Sequence, residues 1–427
     1  MNLIYCFMKL LPQQKKIVFL SRQGDSPSVD FTMLEKKIKE LHPDYETIML
    51  CKKLNIKDHE SAIDYGLHML VQMYHLATSD VAILDSYCIA VSVLHHKKSL
   101  LVIQMWHSIG TMKKFGYSIL DKPEGSPSKL AKLMKMHANY DYILAAGEGY
   151  KEHLAEGFNY PLDKIVTLPL PRMELLKDED HRNDTLQKIF KIYPELATKE
   201  NILYVPTFRK VNDELFMSAL RSICQAADYD NYNLIIKVHP NTNLTNFNPG
   251  RAILDTEFSS EDMLYISDIV ISDYSCIIYE AALLNIPLYF YTYDYEKYMK
   301  AREVYMDYKA EIPGPMEPYP RLVFERIASR DEGADRRRVD KFLHKYIYTG
   351  SKHETEDIVN FIFDHLKNKR RTRKKKNEKK EVLVGIDLQG LLDYVYIFTR
   401  FLLFSTSCST MPGKQSHIVE IYLPLAD

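Results

Sequence analysis

Two histidines stand where a proton could be moved. Gln104-Met105-Trp106-His107-Ser108-Ile109-Gly110 closes an apolar run with the chain's one tryptophan beside a histidine, and Lys113-Lys114-Phe115-Gly116 follows. An imidazole with an unperturbed pKa of about 6.5 can take a hydroxyl proton near neutrality, and Lys113 with Lys114 can neutralise phosphate. Lys237-Val238-His239-Pro240 repeats the arrangement in the second half, with Pro240 stopping the run. One such histidine from each half can face the other over a cleft. Either taken alone is also explained as a polar cap on a strand.

The second half adds groups suited to a nucleotide. Tyr204-Val205-Pro206-Thr207-Phe208-Arg209 ends with a hydroxyl and a guanidinium, whose planar fork fits a phosphate or an interdomain salt bridge. Ser272-Asp273-Tyr274-Ser275-Cys276 precedes an apolar stretch, 277–284, that reads as a buried helix. Asp273 and Ser275 are helix-capping residue types there, and a helix start offers unpaired N–H groups to an anion. Glu280 lies one and a half turns in, where its carboxylate can bond ribose hydroxyls or form an ordinary helix salt bridge. No G-x-G-x-x-G, Gly-Lys-Ser/Thr phosphate loop or H-E-x-x-H occurs.

Positioning these residues requires strands, and short apolar runs with polar ends supply them: 16–20, 81–84 and 100–105, then 202–205, 234–236 and 269–271. Fully apolar short strands alternating with helical stretches predict parallel sheets covered on both faces. Ligands of such sheets bind beyond the strands' carboxyl ends, where the polar residues fall. Two series imply an α/β protein of two facing Rossmann-like domains with a cleft between them: 1–175, then 176–366. A final helix, 354–366, is expected to pack back across the hinge.

The 427 residues are 46% hydrophobic and 26% charged, which excludes a disordered chain, a collagen-like fibre and a polytopic membrane protein. Net charge is −1, yet residues 367–380 alone carry +9, so the remainder carries −10. This basic run precedes an apolar, aromatic stretch, 391–404, too short and interrupted for a confident span. Residues 367–427 thus form a basic then apolar tail, a solvated linker or a segment suited to an anionic membrane surface; no nucleic-acid partner is implied. The apolar start, 3–11, predicts a helix that either packs on the body or lies in a membrane interface. Six scattered cysteines, without a C-x-x-C pair, indicate neither a zinc site nor a disulfide framework. The protein reads as cytosolic.

Trp106-His107, Pro206-Thr207-Phe208-Arg209, Lys237-Val238-His239-Pro240, Ser272-Asp273-Tyr274-Ser275 and 280–287 together resemble the CDP-glycerol glycerophosphotransferase family, the primases and polymerases of teichoic acids. Pro313-Gly314-Pro315 resembles a loop of that family. The resemblance spans roughly 15–365 and implies a GT-B-like fold that moves glycerol phosphate, or a related polyol phosphate, from a CDP-activated donor to an acceptor hydroxyl, releasing CMP. It implies catalytic roles for His107 and His239, with His107 as base. It implies donor contacts from Thr207, Arg209, Lys237, Asp273, Ser275 and Glu280, and an acceptor or phosphate side at Trp106, Gly110 and Lys113. The implied partners are CDP-glycerol or CDP-ribitol, a lipid-linked saccharide or polyol-phosphate acceptor, and the inner face of the cell membrane, where the protein is peripheral. A homo-oligomer is compatible with this. No metal or cofactor is implied. Ser108 and Cys276 depart from the family's usual residues, and the tail has no counterpart. A GT-B glycosyltransferase using a nucleotide sugar and a catalytically silent assembly protein remain the alternatives.

Overall fold

The computed structural model describes residues 1–53, 59–209, 214–240, 242, 244 and 247–377. Among them, six parallel strands form a first sheet: β1 (Lys16–Ser21), β2 (Glu46–Cys51), β3 (Val81–Leu84), β4 (Leu101–Gln104), β5 (Tyr142–Ala145) and β6 (Ile165–Thr167), in the order β2-β1-β3-β4-β5-β6. Six more form the second: β7 (Glu200–Val205), β8 (Tyr232–Ile236), β9 (Ile253–Leu254), β10 (Ile269–Ser272), β11 (Leu288–Tyr291) and β12 (Met316–Glu317), in the order β12-β11-β10-β7-β8-β9. Every pairing is parallel, with Ile17 opposite Val81 and Ile202 opposite Ile269.

The central strands are buried along their whole length, which is why they read as unbroken apolar runs. Helices cover both faces. In each sheet the strand order reverses once, between β1 and β3 and between β7 and β10, and such a reversal opens a crevice beyond the carboxyl ends of the two strands. Ser21 and Asp85 lie at the first crevice, Thr207 and Asp273 at the second.

Several contacts join the two halves, two of them extended. Residues 302–305 of the second half lie along 112–118 of the first: Tyr305 N–H donates to Met112 O at 2.9 Å, Lys114 N–H donates to Glu303 O at 2.9 Å, and Lys113 bridges Val304 antiparallel. The Glu303 carboxylate pairs with both Lys114 and Lys122, which hold it down to a pKa of about 2. The other connection is helix Glu354–Asn377, eleven residues longer than expected. It returns to the first sheet, stacking Phe363 on His42 with ring centroids 3.4 Å apart and pairing Lys369 with Asp141 at 2.6 Å. The basic run therefore begins inside a packed helix. Residues 378–427, including the apolar stretch 391–404, lie outside the described residues. No helix among the described residues is long and apolar enough to cross a membrane.

Candidate active site

His107 follows β4 on a loop whose backbone is unusual. Trp106 adopts φ +65°, a left-handed conformation costly for a bulky side chain, and strain of that kind concentrates at functional sites. The conformation is held from several sides. Trp106 N–H donates to Gln104 Oε1 at 2.9 Å, and the indole packs against Phe115 and Phe158 in the core. The His107 ring lies 4.1 Å from the indole, and its Nδ1 is 2.9 Å from the carbonyl oxygen of Asp85, at the end of β3. A carbonyl only accepts, so Nδ1 carries the proton and the basic lone pair of the neutral ring is on Nε2.

The same loop touches the other half of the molecule. A methyl placed on Gly110 would stand 2.4 Å from ring carbons of Tyr279, so only glycine permits this approach. Tyr279 lies on helix Ile277–Leu283, which starts two residues after Ser275 at the second crevice. Gly110 is thereby set against the helix that carries Glu280 and follows Ser275.

At the second crevice Asp273 is fully buried and ties loops together. One carboxylate oxygen accepts from Thr207 N–H at 2.8 Å and Tyr274 N–H at 2.6 Å; the other accepts from Arg209 Nη2 at 3.0 Å. Helix capping does not describe it: the N-cap of helix Ile277–Leu283 is Cys276, without a side-chain capping bond. The fork of Arg209, expected at a phosphate, closes on Asp273 and on Asp294 after β11, over the rings of Tyr274 and Tyr298. Two carboxylates cancel the cation's field, so Arg209 braces three strand-end loops. Lys237 is likewise internal. Its ammonium is buried against Asp255 Oδ2 at 2.7 Å and the carbonyl of Phe258. Lys113 belongs to the interdomain bridge. His239 is exposed after β8, its ring 4.8 Å from that of Phe208.

Several buried polar atoms around these crevices have no partner: Asp85 Oδ1, Trp106 Nε1, Thr111 Oγ1, Thr207 Oγ1 and Glu280 Oε2. Buried polar groups are ordinarily satisfied; exceptions also occur elsewhere, from His68 and His75 to Thr355, and of these five Asp85 Oδ1 and Thr207 Oγ1 are the ones at the strand-order reversals. Burial lifts the Asp85 carboxyl to a pKa of about 6, against hydrogen bonds from Ser21 and Ser86. Burial, with Glu261 adding to it and Arg172 opposing, lifts Glu280 to about 8, so this carboxyl is mainly protonated at neutral pH. Asp85, Asp294 and the 302–305 bridge escaped the sequence reading. Asp85 ends a run recognised as a strand, whereas Asp294 follows β11, which was not. No group of three potential metal ligands occurs among the described residues. A cavity of about 380 Å³ opens elsewhere, at the amino ends of β7 and β10, where Arg330 is already matched by Glu200 and Glu332.

Two parallel sheets with opposed crevices, a loop histidine with its tautomer fixed, and unpartnered buried polar groups define a two-domain, GT-B-like transferase. The model of the CDP-Glycerol:Poly(glycerophosphate) glycerophosphotransferase family matches residues 3–364, and the chain belongs to that family. It is 33% identical over 371 residues to the teichoic acid ribitol-phosphate primase of Bacillus spizizenii, covering 84% of this chain and 93% of that protein. It is 28% identical over 292 residues to the teichoic acid glycerol-phosphate primase of Bacillus subtilis, covering 66% and 71%. A solved structure of the wall teichoic acid polymerase TagF shares the fold, with TM-score 0.64 and 18% identity over 86% of this chain and 94% of that one. The protein is an enzyme that transfers a polyol phosphate from a CDP-activated donor in teichoic acid synthesis. The nucleotide-sugar and silent-assembly alternatives give way to this membership.

Proposed function

We propose that His107 is the general base of a direct in-line transfer, and that the polyol is ribitol. Nε2 of His107 takes the proton of the acceptor hydroxyl as its oxygen attacks the phosphorus bearing the polyol. The bond from that phosphorus to the bridging oxygen breaks, and CMP leaves with the bond's electron pair. His239, exposed at the other crevice, stabilises the charge on the leaving phosphate. Thr207 Oγ1 and the Ser275 hydroxyl contact the donor phosphates, and Glu280 meets the ribose. Positioning and electrostatic stabilisation supply the rate. The carrying observation is the His107 Nδ1 bond to Asp85 O, on a loop that rests through Gly110 on Tyr279.

Ribitol is favoured because three relatives aligned over about 370 residues, at 33%, 29% and 25% identity, are a ribitol-phosphate primase and two ribitol-phosphate polymerases. A TagF variant soaked with CDPG shares the fold at TM-score 0.66. The acceptor is a lipid-linked saccharide or polyol-phosphate chain, met at the inner face of the cell membrane by a peripheral enzyme. The test incubates the purified chain with CDP-ribitol or CDP-glycerol and a lipid-linked disaccharide acceptor, reading CMP and product length. Faster CMP release from CDP-ribitol is expected; preference for CDP-glycerol reverses the polyol, and turnover with neither rejects the reading.

A further inference from the structure

Arg172, Arg209 and Arg330 each close on carboxylates: the first on Asp30, the second on Asp273 and Asp294, the third on Glu200 and Glu332. Arg22 does not. It is the first residue after β1, at the strand-order reversal between β1 and β3, and is half-buried. Among the described residues its guanidinium has no ion pair. Nη1 donates to the Tyr87 carbonyl oxygen at 3.0 Å, with the guanidinium carbon 5.8 Å from the Tyr87 ring centroid, and Nε is buried without a partner. A guanidinium offers five N–H donors in one plane, and holding a single carbonyl uses one of them and needs no charge. A buried donor left unmade is costly, so the retained fork points to an acceptor that arrives with a ligand.

The position ties Arg22 to the reacting centre. Asp85, Ser86 and Tyr87 leave β3 in succession. The Asp85 carbonyl accepts from His107 Nδ1, Ser86 Oγ accepts from Arg22 N–H at 3.0 Å, and the Tyr87 carbonyl accepts from the Arg22 guanidinium. Residues two apart span at most about 7 Å of chain, so the imidazole and the guanidinium are fastened to neighbouring points of one segment. The Asp85 carboxyl is not the missing counter-ion, since it accepts from Ser21 and Ser86. The adjoining strand end adds to the positive field. Lys52 N–H donates to Ser21 O at 3.1 Å, and Lys53 N–H donates to Asp25 Oδ1 at 2.9 Å. The Lys52 ammonium is paired with Asp64, whereas Lys53 is exposed and has no ion pair among the described residues.

We propose that Arg22 forms a phosphate subsite of the first crevice, which takes the last phosphodiester of a polyol-phosphate acceptor while that acceptor's terminal hydroxyl lies at His107. The hydroxyl and the phosphodiester of such an acceptor are the two ends of one polyol unit. The crevice meets the first with a base and the second with a guanidinium fork, so one unit is held at both ends before attack. A bare saccharide gives the fork nothing to bind. Of the two acceptor classes named above, the polyol-phosphate chain is the one this crevice selects. The inference rests on the His107 reading and names the acceptor chemistry that goes with it.

The test follows CMP release by the full chain without lipid, so that no headgroup supplies the phosphate, with whichever CDP-polyol the unaltered chain turns over. Two water-soluble acceptors are compared: a disaccharide glycoside without phosphate, and the same disaccharide extended by one polyol phosphate. The unaltered chain should have the lower KM for the extended acceptor. Arg22→Gln should raise that KM about tenfold or more, leaving kcat and the KM values for the bare disaccharide and the CDP-polyol unchanged. Arg22→Lys, which keeps a cation but not the fork, should recover part of the loss. An equal rise for both acceptors would make Arg22 structural, and a rise in the donor KM would make it a donor contact; either overturns the inference. So does an unchanged KM for the extended acceptor, or an unaltered chain that turns over the bare disaccharide alone. Failure of the transferase reading would appear differently, as no CMP release from the unaltered chain with either acceptor.

Discussion

A histidine is made a base by what holds its other nitrogen. The carbonyl of Asp85 does this for His107, so a side-chain change at Asp85 keeps the tautomer while a change at His107 removes the base. Arg209 shows the opposite situation, a group whose type suggested ligand binding and whose neighbours give it other work. Replacing it by Ala strands the buried carboxylates of Asp273 and Asp294, and a loss of about 3–5 kcal/mol is expected in chemical denaturation. Adding Asp294→Asn should recover part of that loss; no recovery would return Arg209 to a ligand role. The Arg209 partnership was not legible because Asp294 lies 85 residues away along the chain. Glu280 carries a pH signature. Its folded pKa of about 8 exceeds an ordinary unfolded glutamate value of about 4.3, so the folded state holds the extra proton between these limits. Stability therefore falls as pH rises through that window, by on the order of 1 kcal/mol per unit, and levels off above pH 8. Glu280→Gln should flatten the slope; an unchanged slope in denaturation from pH 5 to 9 would contradict the assignment.

At the scale of elements, six interior strands were legible, whereas the edges and the interior strands β5 and β11 were not. β1, β3, β4, β7, β8 and β10 are runs of apolar residues because both faces are covered, and their polar ends marked the crevices. β2 is an edge strand, half-buried along most of its length, whose apolar run 48–51 was not singled out, and β9 and β12 are two residues each, too short to produce one. The helix after Ser275 was visible, but the role of Asp273 was not, since capping and cross-strand bracing draw on the same residue type. The loop 106–110 was recognised by its residues, while its strain and its contact with Tyr279 depend on tertiary structure. Gly110→Ala tests that contact. A methyl 2.4 Å from an aromatic ring forces the seam apart, and a loss of at least tenfold in transfer with little change in melting temperature is expected. Full activity would show that the seam does not align the two halves.

For the whole molecule, two sheets and a cleft follow from two series of strands, whereas what joins them does not. The expected boundary at 175/176 falls within helix Pro171–Leu176, and helix 354–377 returns to the first sheet. The Glu303 bridge to Lys114 and Lys122 is exposed, so Glu303→Gln should affect transfer through domain closure, raising KM modestly and making it less sensitive to salt. A salt dependence equal to that of the unaltered chain would remove the bridge from closure. Because Lys369 is part of the packed helix, a tail deletion that spares the fold begins after Asn377. The central claim, that His107 is the base of CDP-polyol transfer, has one decisive measurement: the pH dependence of CMP release by the unaltered chain and by His107→Ala, with the fold checked by circular dichroism. The unaltered chain should gain rate as a group near neutral pKa loses its proton, and the variant should lose about 100-fold or more together with that limb. A folded variant that keeps the rate and the pH limb would contradict the account.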